Sequence, residues 1–97
     1  MLISGITFTS REIDIIACLL NARSAKKIAA ILLISPRTVE THIQNILLKI
    51  RGNSQEAIID FIGKSLEFKH IKEHYLSLLI QTVFEQQLKR ISYLVKK

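Results

Sequence analysis

Residues that interrupt helices or cross-link chains are scarce in this sequence. Its 97 residues include one proline, three glycines, one cysteine and no tryptophan. So few helix breakers, beside many Ile, Leu, Ala, Lys and Gln residues, favour helices along the whole chain. A single cysteine excludes a disulfide framework and suits a reducing compartment, and Cys18 lies in an apolar run typical of a core. The composition therefore predicts a small all-α protein.

Long apolar runs are also missing. The longest uninterrupted run, 28–34, is far shorter than the ~20 residues that a membrane-spanning helix needs. The first residues, MLISGITF, lack the basic segment followed by an apolar one that marks a secretion signal. We therefore expect a soluble, cytoplasmic protein with no membrane partner.

Acidic residues are the scarcer charge. Fourteen Lys and Arg residues stand against eight Asp and Glu residues, which gives a formal net charge of +6. Residues 1–52 contain seven bases and three acids, and residues 53–97 contain seven bases and five acids. A basic surface attracts polyanions, so a nucleic-acid interface is expected in the first half.

The first half of the chain carries three helix-start signals. The segment TSRE, 9–12, is a capping box, and the helix that it starts should end near 21–23. Ser24 can cap a second, short helix that runs to about Leu32. The serine before the only proline can cap a third helix, 36–51, because the residue before a proline avoids the helical conformation. Two helices separated by such a short turn form a helix-turn-helix.

The helix 36–51 has two unlike faces. Apolar residues at spacings of three and four predict a buried stripe of Val39, Ile43, Ile46, Leu47 and Ile50. At ~100° per residue, the opposite face carries Arg37, Glu40, Thr41, Gln44 and Arg51, with the apolar Leu48 among them. This face is either the solvated side of a helical hairpin or a surface that reaches base edges in the major groove.

The second half predicts a short helix and a long one. The segment NSQE, 53–56, is a second candidate capping box, for a helix that runs to about Ile62. Between Leu66 and Lys97 the chain has no proline or glycine, which favours one long helix. We therefore divide the chain into a helix-turn-helix domain, 1–64, and a C-terminal helical extension, 65–97.

The long helix is more apolar than a surface helix requires. One stripe consists of Leu76, Ile80, Phe84, Leu88, Ile91 and Val95, and a second consists of Tyr75, Leu79 and Val83. A surface helix needs an apolar arc of only ~100°, so the surplus indicates a second partner. The helix either folds back over the core or dimerises, and we favour dimerisation through Leu76, Ile80, Phe84 and Leu88.

A family resemblance adds to this interpretation. The segment FTSREIDIIACLLNARSAKKIAAILLISPRTVETHIQNILLKI resembles the LuxR/FixJ/GerE-type helix-turn-helix DNA-binding domain of bacterial transcription regulators. The shared positions, in register without a gap, are Thr9, Arg11, Glu12, Ser24, Ile28, Ala29, Leu32, Ile34, Ser35, Thr38, Val39, His42, Asn45, Ile46 and Lys49.

The resemblance implies roles for individual residues. In such domains the third helix reads DNA, and the positions that point at bases correspond here to Glu40, Thr41 and Gln44. Gln can bond adenine through two hydrogen bonds, and Thr can offer its hydroxyl or lay its methyl group against thymine. The residues better placed for DNA phosphates are Lys26, Lys27, Arg37, Thr38 and Lys49.

This sequence departs from the family pattern at four places. The family usually has Lys or Arg at the position of Glu40, and a carboxylate near phosphates is unfavourable unless it accepts from a cytosine amine or pairs with Arg37. The family often has Glu at the position of Lys27 and Gly at the position of Ala22. The connection 51–57 is one residue shorter and lacks the usual Arg, so the fourth helix, a dimer contact in this family, can sit differently here.

Catalytic and metal sites have little support in the sequence. His42 has no nucleophile or acid spaced around it. The segment HIKEH, 70–74, matches the H-x-x-E-H zinc-protease pattern, but a five-residue match without a third ligand is weak, and a solvated helix face explains it. We predict no enzymatic activity, no metal and no cofactor.

Two functional hypotheses remain. The first is a transcription regulator that binds double-stranded DNA as a homodimer, with helix 36–51 of each copy in the major groove. The second is an interaction module that retains the helix-turn-helix but binds RNA polymerase or another regulator. Glu40 and Leu48 favour the second hypothesis, and the basic residues with Gln44 favour the first.

Overall fold

The computed structural model describes the backbone of residues 1–95 and the side chains of residues 1–91. Its elements are β1 (Leu2–Ile3), β2 (Ile6–Thr7), α1 (Ser10–Leu20), α2 (Ala25–Leu32), α3 (Pro36–Ile50), α4 (Gln55–Gly63) and α5 (Phe68–Val95). The all-α prediction is confirmed. Lys96 and Lys97, which the sequence analysis assigned to the last helix, lie outside the described residues.

A short hairpin precedes the helices and was not predicted. Its two strands pair antiparallel, with Ile3 opposite Ile6, across a two-residue turn. Both turn residues, Ser4 and Gly5, have positive φ angles of 48° and 84°, as the tight turns that suit hairpin twist require. The hairpin places Ile3 in the core, where it is fully buried.

The caps of the first three helices match the sequence analysis. In the first capping box the amide of Thr9 donates to Glu12 Oε1 at 2.8 Å, and the amide of Glu12 donates to Thr9 Oγ1 at 3.1 Å. Ser24 and Ser35 accept from backbone amides at the starts of α2 and α3. The capping box predicted at 53–56 is wrong, because α4 begins after Ser54 without a side-chain cap.

The core is built around α1, which packs against α3, α4 and α5. Each helix contributes its apolar stripe; the fully or almost fully buried large side chains include Ile15, Ile16, Ile28, Val39, Ile46, Ile58, Ile62 and Ile71. Cys18 is fully buried among them, as predicted. Burial, with a contribution from Asp14, raises the pKa of its thiol to about 11, so this cysteine is unreactive at neutral pH.

The first half of α5 packs against α1 and α2. Ile71, Tyr75 and Leu78 are buried in the same core as the earlier helices. Polar contacts fix the same face: His74 Nε2 lies 2.8 Å from Asp14 Oδ1, and Thr82 donates to the backbone carbonyl of Ile31 at 2.8 Å. The inner face of α5 is therefore part of the core, while the division of the chain at 64/65 stays a prediction. Within the described residues, no helix is both long enough and apolar enough to span a membrane.

An ion pair connects the start of α1 to the end of α3. Lys49 Nζ donates to Glu12 Oε1 at 2.5 Å and to the backbone carbonyl of Thr7 at 3.0 Å. The same ammonium lies 5.6 Å from the centre of the Phe8 ring. Burial raises the pKa of Glu12, but the hydrogen bonds from Lys49 and Thr9 and the charge of Lys49 outweigh it and lower that pKa below 4.5. We call this contact the Lys49–Glu12 clamp.

The connection from α3 to α4 is tight. Arg51 ends α3 in the left-handed conformation, with φ 57°, and Gly52 follows it. A Cβ atom on Gly52 would lie 2.7 Å from the Cβ of Ala57, which is too close for two carbon atoms. The short connection therefore holds α4 directly against the end of α3.

We expect Gly52→Ala to lower the free energy of unfolding by about 1–3 kcal/mol, because the added methyl group forces α3 and α4 apart. Gly63→Ala is the matched control. A Cβ at Gly63 meets nothing within 4 Å, and alanine at a helical position stabilises by up to about 1 kcal/mol. Urea unfolding of both variants measures the difference, and equal stabilities would contradict the tight connection.

We also expect Glu12→Gln to lower the free energy of unfolding by about 1–3 kcal/mol at neutral pH. Because the folded state lowers the pKa of Glu12, its ionised form stabilises the fold above the ordinary value of 4.5. This stabilisation is lost as the pH falls through the lower, folded-state pKa. Urea unfolding at pH 7 and at acidic pH should show the gap between the two proteins closing, and a gap that stays constant would contradict the clamp.

Candidate nucleic-acid interface

The helices α2 and α3 form the predicted helix-turn-helix. Leu33 ends α2 in the left-handed conformation, with φ 58°, and its amide donates to the carbonyl of Ala29. Ser35 then caps α3, and Pro36 occupies its first position. The inward stripe of α3 consists of Val39, Ile43, Ile46 and Leu47, all buried. Packing of this stripe fixes which side of α3 faces outward.

The outward side of α3 presents a row of polar residues. Arg37, Glu40, Thr41 and Gln44 are all exposed, and they line one open cleft of about 450 Å³. The structure thus brings together the three predicted base contacts and one predicted phosphate contact. Gln55, the first residue of α4, lines the same cleft. Sequence reasoning missed Gln55, because its position depends on the tight connection between α3 and α4. We call Arg37, Glu40, Thr41 and Gln44 the polar row.

The structure indicates which hydrogen bonds Thr41 and Gln44 of the polar row can offer to a ligand. Thr41 Oγ1 donates to the backbone carbonyl of Arg37 at 3.1 Å. Because its hydrogen is used, Thr41 can present only its methyl group and an acceptor oxygen to a ligand. Within the described residues the amide of Gln44 forms no hydrogen bond with the protein, which leaves a donor and an acceptor available.

Glu40 stands in this row without a cation. Pairing with Arg37, which the sequence allowed, does not occur among the described residues, where the ion pairs involve Glu12 and Asp14. Its carboxylate is exposed and can only accept hydrogen bonds when ionised. Acceptance from a cytosine amine stays a prediction.

Three of the predicted phosphate contacts, Lys26, Lys27 and Thr38, lie at the starts of α2 and α3. Lys26 and Lys27 are exposed in the first turn of α2, and Lys27 lines a cleft with Leu79 and Val83 of α5. Thr38 lies at the start of α3, where its hydroxyl is 2.8 Å from that of Ser35. Their phosphate contacts stay predictions.

Lys49 differs from the other predicted phosphate contacts. Its ammonium is held in the Lys49–Glu12 clamp and directed at Thr7 rather than along the polar row. This geometry gives Lys49 a structural role that the sequence pattern did not reveal. Its contact with DNA stays a prediction, which the clamp does not favour.

The histidines of the segment 70–74 do not form a site. His74 bonds to Asp14, as described above, and His70 is exposed. Within the part of the chain that the structure describes, no three His, Cys, Asp or Glu residues are grouped so that they could hold a metal ion.

Comparison with known proteins is consistent with this geometry. The family model "Bacterial regulatory proteins, luxR family" matches residues 6–62, which contain β2, α1, α2, α3 and almost all of α4. A Bacillus subtilis (strain 168) protein described as the uncharacterized transcriptional regulatory protein YhcZ is 48% identical over 42 residues. The match covers 43% of this chain and 20% of the length of that protein. No solved structure matches the chain significantly. Because the family model covers more than half of its residues, the chain belongs to the luxR family of bacterial regulatory proteins.

Proposed function

We propose that the chain is a sequence-specific, double-stranded DNA-binding transcription regulator that inserts α3 into the major groove. The observation that carries the proposal is the polar row, whose side chains point outward while the opposite stripe of α3 is buried. Residues 37 to 44 span ~10 Å of helix, about the length of three base pairs. One helix can therefore read about three successive base pairs.

The chemistry of the row suits base edges. A glutamine amide can donate a hydrogen bond to N7 of adenine and accept one from the N6 amine. This is the pairing expected of Gln44. Thr41 offers a methyl group that can contact the thymine methyl. Glu40 can accept from the amine of cytosine. The row thus contains a partner for more than one kind of base pair.

Basic residues in the row and beside it provide affinity for DNA. Arg37 at the start of α3 and Lys26 in the first turn of α2 are exposed and suit phosphate oxygens. Such contacts position the protein and depend on salt, because each neutralised phosphate releases counterions. We further propose a homodimer that places two α3 helices ~34 Å apart on a two-fold symmetric site. We propose no enzymatic activity.

The second candidate function is an interaction module that binds RNA polymerase or another regulator. Leu48 favours it, because this side chain is 76% exposed on α3 one turn beyond Gln44. Glu40 favours it as well, because a free carboxylate opposes phosphate binding. The polar row and the adjacent bases favour DNA, so we place the DNA-binding function first.

The proposal is tested by selection from random oligonucleotides, at low salt and at ~0.2 M salt, followed by variants on the selected site. We expect Gln44→Ala to weaken the free energy of binding to that site by ~1–3 kcal/mol and to reduce the sequence preference at one base pair. Lys26→Ala is the matched control, and it should weaken binding to all sequences alike. If no motif is enriched, or if both variants lose affinity equally on every sequence, α3 does not read bases as proposed.

Glu40 provides a separate prediction. We expect Glu40→Gln to strengthen binding to unrelated DNA several-fold, because the variant removes a negative charge that faces phosphates. Discrimination at one base pair should fall at the same time, because a glutamine amide no longer selects for a cytosine amine. Binding of the selected and a scrambled duplex, measured at the same salt concentration, gives both quantities. Unchanged affinity for the scrambled duplex would place Glu40 away from the DNA.

A further inference from the structure

The outer face of α5 carries a continuous apolar stripe. Its members and their exposed fractions are Leu76 (60%), Ile80 (69%), Val83 (57%), Phe84 (61%), Leu88 (49%) and Ile91 (53%). We call these six residues the α5 stripe. It exposes roughly 600 Å² of apolar area, at the upper end of the largest patch found on a typical monomer. Such a surface indicates a partner.

Among the described residues, nothing from the rest of the chain covers this stripe. The opposite face of α5 already packs on α1 and α2 through Ile71, Tyr75 and Leu78. From Val83 to Ile91 every residue is exposed, so the core of its own chain packs little against this section. Helical segments without tertiary packing are marginal in water. A partner helix would supply the missing packing.

We propose that a second copy of this chain covers the α5 stripe, so that two α5 helices pair in antiparallel orientation about a two-fold axis near Val83 and Phe84. This proposal deepens the proposed function, because it assigns the interface of the dimer that we propose on DNA. The two cores would lie on the outer sides of the helix pair, since each packs against the face of α5 opposite the stripe.

The size and symmetry of the stripe fit a second copy. Two stripes that cover each other bury about 1,200 Å², which is the lower limit for specific protein interfaces. In a two-fold interface, residue i of one copy meets residue j of the other, and the reverse contact repeats it. With the axis near Phe84, Leu76 meets Ile91, and Ile80 meets Leu88. Every large apolar side chain of the stripe then has an apolar partner.

Charge favours the antiparallel orientation. Lys69 and Glu73 lie on the same face of α5 as the stripe, seven and three residues before Leu76. A parallel pair would place each of these charges opposite its own copy, and such like-charge contacts are unfavourable. In the antiparallel pair the two copies of Glu73 are separated by ~30 Å along the helices. Only the antiparallel pair keeps like charges apart.

The fourth helix offers a smaller surface. The only large apolar side chain that α4 exposes is Ile59, at 39%. Its remaining apolar residues, Ala57, Ile58, Phe61 and Ile62, are buried or half-buried against the core. The dimer contact through the fourth helix, which the family resemblance implies, therefore has less apolar area here than the α5 stripe.

The first test is the mass of the full chain in solution without DNA, measured by analytical ultracentrifugation at tens of micromolar. We expect a dimer. Phe84→Glu and Leu88→Glu should each weaken dimerisation by at least about tenfold, because they bury a charge without a partner. Gln86→Glu is the matched control, which adds the same charge to α5 outside the stripe, and it should remain a dimer. Since the two substituted residues lie outside the core, circular dichroism should show that α1 to α4 remain folded.

The second test is the orientation of the helices. Cys18 is fully buried, so a single new cysteine on α5 is the only accessible thiol. Phe84→Cys should form a disulfide with its own copy under mild oxidation. Leu76→Cys should not react with itself but should cross-link to Ile91→Cys when the two variants are mixed. Efficient self-cross-linking of Leu76→Cys would overturn the antiparallel pair.

The outcomes separate this interface from the proposed function. A wild-type monomer at these concentrations, or a dimer that neither glutamate variant weakens, overturns the interface. A monomer that still enriches a DNA motif overturns the interface and leaves the DNA-binding function standing. A dimer that both glutamate variants weaken but that enriches no motif supports the interface and contradicts the DNA-binding function.

Discussion

Packing of its apolar stripe on the core orients α3, and the Lys49–Glu12 clamp joins the first turn of α1 to the last turn of α3 beside that packing. Glu12 is almost fully buried, at 4% exposed, and a buried carboxylate is tolerated only when its oxygens are bonded to donors. The amide of Thr9 and the ammonium of Lys49 provide those donors. One carboxylate therefore belongs to the cap of α1 and also connects α1 to α3. Because the apolar stripe of α3 packs inward, the polar row on its opposite side points outward.

The helix α5 serves two surfaces at once. Its inner face completes the core over α1, and the bonds from His74 to Asp14 and from Thr82 to Ile31 fix its rotation. This rotation decides which apolar residues remain outside. A helix with only one apolar stripe would have buried it, whereas α5 buries one set and exposes the α5 stripe. The proposed dimer and the observed fold are thus consequences of the same excess of apolar residues.

Local signals in the sequence predicted the helices and their order. Each helix-start signal involves residues that are close in the sequence, as Thr9 and Glu12 are in the capping box and Ser35 and Pro36 are at the start of α3. Such signals can therefore be recognised from the sequence alone. The polar row followed from the period of α3, because the buried stripe of a helix determines its opposite face. The apolar surplus of α5 was also evident from composition and spacing.

Contacts between distant residues could not be predicted in this way. Lys49 resembled a surface cation, and only the packing of α3 on α1 brings it to Glu12, which lies 37 residues away in the sequence. The division of α5 into a buried side with Tyr75 and an exposed side with Leu76 depends on its rotation against α1. The hairpin was missed because two-residue strands are too short to show alternation. The capping box predicted at 53–56 was wrong because Ser54, not Asn53, precedes α4, and its side chain accepts no hydrogen bond from the helix.

The polar row of α3 is the surface that we propose contacts DNA. The most direct measurement is the mapping of backbone amide shifts by NMR during titration with a duplex, at low salt and then at ~0.2 M salt. We expect the largest shifts at 37–44 and in the first turn of α2, with the α5 stripe unaffected. Shifts concentrated on α5, or none that persist with a selected duplex at the higher salt concentration, would show that the polar row does not bind DNA.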